Sequence, residues 1–151
     1  MKRYLLLLLM ASLLASCEKN KVSKIPHISL MSFTPNDSMV VNIDTALVIF
    51  KFTDGNADIG NDTVSAIWIK DSRYDSAGFQ KYSFPNIDAT IEDPKKGLTG
   101  TVYFFPDPQP VPRGDSIHLA TGDTLHYEFY ITDRARNESN HLITHHLIIR
   151  P

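Results

Sequence analysis

Cysteine is almost absent from this chain: Cys17 is the only one in 151 residues. No disulfide can form within the chain, so a folded body must be held by its core and its hydrogen bonds. Apolar runs are short as well. The stretch from Leu5 to Leu14 falls well below the about 20 residues that span a bilayer as a helix. Catalytic signatures are missing: there is no G-x-S-x-G, no H-E-x-x-H and no glycine-rich phosphate loop. An enzyme needs a nucleophile with its base, a carboxylate pair in a cleft, or a metal with an open position. Scattered carboxylates such as Asp93 and Asp107 supply none of these, and the expectation is a protein that is not an enzyme. Helical periodicity is also wanting, since no segment sustains it over about ten residues, and no internal repeat is present.

What is there begins at the N-terminus. In "MKRYLLLLLMASLLASC", Lys2 and Arg3 precede the apolar stretch, and small residues follow it. That is the layout of a secretory leader. "LASC" (Leu14 to Cys17) resembles the lipobox of bacterial lipoproteins. The resemblance implies cleavage before Cys17, loss of residues 1–16 and a diacylglyceryl group on Cys17. One acyl chain holds a protein weakly, whereas two anchor it stably. The expected product is a water-soluble domain tied to the outer membrane of a Gram-negative cell envelope.

Losing Lys2 and Arg3 with the leader moves the net charge from −2 to −4. That acidity speaks against nucleic acid as a partner. The remaining length suits one domain, able to bury about 68% of its surface. Residues 17–27 read as lipidated cysteine and flexible tether, and residues 28–151 as the domain. Surface-exported lipoproteins of this type often carry several acidic residues after the cysteine. Here "CEKNK" has Glu18 beside Lys19 and Lys21, so periplasmic and surface-facing orientations both stand.

Beyond the tether the chain reads as strands and turns. "HISLMSF" (27–33) ends at the turn signal "TPND". "TALVIFKFT" (45–53) alternates, with Val48, Phe50 and Phe52 on one face and Lys51 on the other. "TVSAIWIK" (63–70) carries the sole tryptophan, Trp68. "FQKYSF" (79–84) reads as an edge strand, and "GLTGTVYFFP" (97–106) stops at a proline-rich stretch that cannot sit in a central ladder. "TLHYEFYITD" (124–133) sets Leu125, Tyr127, Phe129 and Ile131 against His126, Glu128, Tyr130 and Thr132. "NHLITHHLIIRP" (140–151) closes the chain. About seven short strands with turn punctuation predict an all-β, antiparallel two-sheet sandwich.

Four features narrow this to an Ig-like or fibronectin III-like sandwich. Trp68 stands on the third strand, where Ig-like domains place a core tryptophan. "DTLHY" (Asp123 to Tyr127) resembles a tyrosine corner, with Phe129 where antibody domains have a cysteine. "TDRARNESN" (132–140) resembles the D-x-A-G-N-x-S turn of bacterial modules. Arg136 replaces its usual glycine, which lessens the expectation of a positive φ there. "FKFTDGNADIG" (50–60) resembles a segment of small uncharacterised Gram-negative lipoproteins, with Asn56 and Ala57 replacing an Asp and a Gly. The resemblance implies fold and location, and that family lends no activity.

The same stretch raises a cation question. An Ig-like path brings the loop after the second strand to the loop after the sixth. Asp54, Asn56, Asp58 and Asp62 should then approach Asp133 and Asn137. Two carboxylates about 6 Å apart repel by about 0.7 kcal/mol in water and about 3 at an effective dielectric of 20. Calcium, which takes six to eight oxygens, would relieve this. An EF-hand is excluded, because its sixth and twelfth positions fall on Ile59 and Ser65. The competing reading is turn chemistry, in which Asp and Asn bond their own backbone and Gly55 and Gly60 supply permissive dihedrals.

Two further sets of residues complete the reading. His126, His141, His145 and His146 would need three convergent members for a transition-metal site, and their default is to face solvent. Tyr74, Phe79 and Tyr82 near the edge strand are candidates for a glycan or other small ligand, provided their rings are coplanar and exposed. The role expected first is structural or protein-interacting, with glycan binding as the alternative.

Overall fold

The computed structural model describes residues 22–40, 43–60, 63–87, 96–106 and 122–150. The strands are β1 (His27–Thr34), β2 (Ser38–Val40), β3 (Leu47–Asp54), β4 (Ala66–Asp71), β5 (Gln80–Ser83), β6 (Leu98–Phe104), β7 (Asp123–Leu125), β8 (Tyr127–Thr132), β9 (Leu142–Ile143) and β10 (Leu147–Arg150). A 3₁₀ segment, Ser72–Ala77, lies between β4 and β5, and no α-helix occurs among the described residues.

One sheet has the order β1-β3-β6, antiparallel throughout. A second has the order β5-β4-β8-β9, and a third, β2-β10-β7, follows it across a break in the ladder, so three sheets stand where two were expected. The break falls at His126, between β7 and β8. Thr144 bridges it: its N–H donates to the Tyr127 carbonyl at 2.9 Å, and its hydroxyl accepts from the Tyr127 N–H at 2.9 Å. Their inner faces enclose one hydrophobic core, and the all-β sandwich expected from the pattern is the observed fold.

Alternation explains most of the core. Val48, Phe50 and Phe52 point inward from β3 while Lys51 is exposed. Leu125, Tyr127, Phe129 and Ile131 meet them from β7 and β8. Phe50 and Phe129 touch across the sandwich with centroids 5.4 Å apart, both fully buried. Burying such a ring contributes roughly 2–3 kcal/mol. In β1, Ile28 and Phe33 both face inward although their spacing is odd. A bulge between Leu30 and Ser32 absorbs the extra residue and resets the face.

Four features depart from the sequence reading. Trp68 is not core: Ile67 and Ile69 point inward and the indole lies half-buried on the outer face. The stretch 124–133 is two strands instead of one. β2 is an extra short strand, and it pairs with β10 in parallel. Part of the stretch read as tether is held to the body, since the Gly55 N–H donates to the Ser23 carbonyl at 2.7 Å and Pro26 is buried. Cys17, Asn61, Asp62, Asp93 and Asp107 lie outside the described residues.

Candidate functional site: an acidic pole and an aromatic cleft

β3 ends at Asp54 and β8 is followed by Asp133, and antiparallel packing brings both ends to one pole. Both aspartates are fully buried. Asp54 accepts from the backbone N–H groups of Asn56 (3.4 Å) and Asp58 (2.9 Å). Asp133 accepts from the N–H and the Nδ2 of Asn137, at 2.8 and 2.7 Å. These are Asx-type turns. Arg134 joins the loops, its N–H donating to the Asp58 carbonyl at 3.0 Å and its Nε to the Gly60 carbonyl at 3.1 Å. Asn140 ties the second loop to β1, accepting from the Ile28 N–H (2.8 Å) and donating to its carbonyl (2.9 Å).

The expected meeting of Asp54, Asn56, Asp58, Asp133 and Asn137 at one pole is therefore present, while Asp62 lies outside the described residues. Turn hydrogen bonds do not balance the charge. Burial pushes the Asp54 carboxyl up to about 6; the Asp58 and Asp133 charges add to the rise, and the two backbone donors oppose it. Asp58 is raised as well, first by burial and then by Asp133, while side-chain hydrogen bonding with Asp54 and Asn56 opposes the rise. Asn56 Oδ1 and Asp58 Oδ1 are buried with no hydrogen-bond partner. Among the described residues, no three His, Cys, Asp or Glu side chains are grouped so as to hold a metal ion.

Positive φ marks both loops: Ala57 at 53° and Arg136 at 66°. Arg136 keeps the left-handed conformation although it replaces glycine, because the turn demands it. The Asp133 carbonyl accepts its N–H at 3.1 Å.

The histidines do not converge on one site. His141 bonds Glu128 at 2.9 Å and stacks on Tyr130, His145 packs on Phe33, and His126 lies 5.0 Å from His146. Tyr74, Phe79 and Tyr82 do not share a surface either. Tyr82 turns toward the core and meets Phe104 edge-on. Tyr74 lies against the Arg73 guanidinium at 5.3 Å. Phe79 is on the outer face, edge-on to Tyr130 at 5.0 Å. Tyr82, turned inward, cannot share a platform with Phe79 on the outer face.

The outer face holds instead a row that the sequence reading missed. Register sets Lys81 opposite Trp68 and Trp68 opposite Tyr130. The Trp68 and Tyr130 planes lie within 8° of each other at 6.0 Å, and Tyr130 and His141 within 8° at 4.5 Å. Trp68 Nε1 donates to Thr132 Oγ1 at 3.1 Å. Beside this row is a cleft of about 460 Å³, bordered by Trp68, Tyr130, Lys81, Arg136 and Glu138. The signal available in advance was parity: Trp68 sits between Ile67 and Ile69 on a strand whose buried positions are those isoleucines.

No family model matches the chain, and no curated protein matches it. Among solved structures, it is similar to the crystal structure of a Niemann-Pick type C2 protein from Japanese carpenter ant. The identity is 13%, the match covers 89% of this chain and 100% of that one, and the TM-score is 0.45.

Proposed function

We propose that the chain is a non-catalytic module of a Gram-negative cell envelope with a structural or protein-interaction role. In this reading a diacylglyceryl group on Cys17 holds it to the outer membrane, and calcium orders its acidic pole. The carrying observation is the pole itself: Asp54, Asp58 and Asp133 are brought together with their charge unbalanced, beside the unpartnered oxygens of Asn56 and Asp58. A hard cation suits such donors. Asp54, Asp58 and the Asn56 amide oxygen are its donors in this reading, while Asp133 stays engaged by Asn137, and the ion would supply positive charge and rigidity but no chemistry of bond making.

The anchor reading gains from the Gly55–Ser23 hydrogen bond, which fixes the chain at the acidic pole. From Val22 back to Cys17 the chain reaches about 17 Å at most. A lipid on Cys17 would therefore hold this pole near the membrane. A Cys17→Ser variant tests the anchor. Wild type is expected in the membrane fraction, labelled by radioactive palmitate, with the variant soluble and unlabelled. An unlabelled wild type would remove the proposal, and protease shaving of intact cells would then decide which side a labelled protein faces.

A further inference from the structure

The acidic pole does not use the cleft beside Trp68, and the cleft has features that stability alone does not explain. Arg136 holds φ at 66°, where a residue other than glycine carries a cost of about 1–2 kcal/mol. Its guanidinium has no partner among the described residues, and it borders the cleft. Lys81 stands on the β5 side, its Nζ 5.9 Å from the Trp68 ring centroid and 3.1 Å from the Thr63 carbonyl. Trp68 and Tyr130 border the same cleft as the two cations. The bond from Nε1 to Thr132 Oγ1 and the stack on Tyr130 fix the indole in place. Glu138 and the Thr132 hydroxyl add polar groups.

We propose that this cleft binds a carboxylated saccharide. The faces of Trp68 and Tyr130 are covered by each other, by Lys81 and by His141, so the ring edges bordering the cleft pack on the C–H side of a pyranose, and the polar groups take its hydroxyls. The Arg136 fork, helped by Lys81, takes the carboxylate, for which a planar guanidinium is suited. Two cations against one Glu138 carboxylate favour an acidic over a neutral sugar. The volume falls within the about 300–1,000 Å³ usual for small-ligand sites. The indole is held before the ligand arrives, so little ordering is left to do on binding.

Because Trp68 is the only tryptophan, tryptophan fluorescence of the full chain, excited so as to leave the tyrosines dark, reads this cleft. Oligomers of glucuronic acid should give a saturable change, and neutral glucose oligomers should bind at least about tenfold more weakly. Arg136→Gly should weaken glucuronate binding by about tenfold or more, with a melting temperature equal to or above wild type. Glycine accepts the positive φ without strain, so that loss would not come from misfolding. The proposal is overturned by no saturable change up to ~10 mM glucuronate oligomer, by equal binding of the neutral sugar, or by an Arg136→Gly variant that binds as wild type does.

Discussion

The two poles of the sandwich handle buried charge in opposite ways. At the far end of β4, Arg73 lies between Asp71 and Asp123. Its Nε and Nη2 make a fork on Asp71 at 3.1 and 2.7 Å, and Nη1 is 3.7 Å from Asp123. Roughly 20 Å away, by the length of the strand, Asp54, Asp58 and Asp133 gather at the acidic pole. There the nearby Arg134 donates to main-chain carbonyls. The far pole pairs Asp71 with a cation supplied by the chain, and burial works against that arginine's charge while the Asp71 hydrogen bonds and charge raise it. Among the described residues the acidic pole satisfies its acids with hydrogen bonds, and Asp54 and Asp58 stay raised by burial and by neighbouring carboxylates. Satisfying hydrogen bonds and balancing charge are separate tasks, and only the second makes stability depend on pH or on an added cation.

The largest effect is expected at the Arg73–Asp71 fork. Asp71→Ala strips a side chain that is 10% exposed from an arginine that is 7% exposed, and it also removes the acceptor for the Arg73 N–H. Breaking a buried pair from one side costs about 3–5 kcal/mol, readable as a lower denaturant midpoint. A loss under about 1 kcal/mol would mean that the far pole is less tightly paired than its geometry indicates.

A smaller effect of opposite sign is expected at the acidic pole. The folded pKa of Asp54 is about 6, against an ordinary value of 3.8. Below about pH 4 the group is protonated folded and unfolded alike, and the burden is absent. Above about pH 6 it is ionised in both states, and the full burden is present. Stability therefore falls as pH rises between those limits, by up to about 3 kcal/mol. Asp54→Asn removes that slope but gives up part of the bond to the Asp58 N–H. The variant should be about 1 kcal/mol more stable than wild type at pH 7.5 in chelator and no more stable at pH 4. Unfolding curves at the two pH values check this, and equal destabilisation at both would show that hydrogen bonding outweighs charge at Asp54.

The comparison also shows which features were legible in advance. Alternation in "LVIFKF" and "HYEFYI" selects Phe50 and Phe129 for the core, because strand parity is a local property. The Ig-like path then predicts that the loops after β3 and β8 meet, which places Asp54 beside Asp133. Features set by distant partners were not legible. β2 is short and stands only against β10, and the break at His126 depends on the Thr144 hydroxyl. Trp68 shows resemblance and parity in conflict: an Ig-like template puts the indole inside, but Ile67 and Ile69 already occupy the inner face. At Arg136 the resemblance to a glycine-bearing turn was the better guide to the backbone, since Asp133 and Asn137 fix the turn whatever side chain it carries.

The most direct test is a two-by-two measurement of unfolding free energy, at pH 4.5 and 7.5, in chelator and in ~1 mM calcium. The account predicts little calcium effect at pH 4.5. At pH 7.5 it predicts a gain of about 1.4 kcal/mol for a Kd near 10⁻⁴ M, so that calcium flattens the fall in stability with pH. An equal response to calcium at both pH values, or none at pH 7.5 where the carboxylates are ionised, would contradict it.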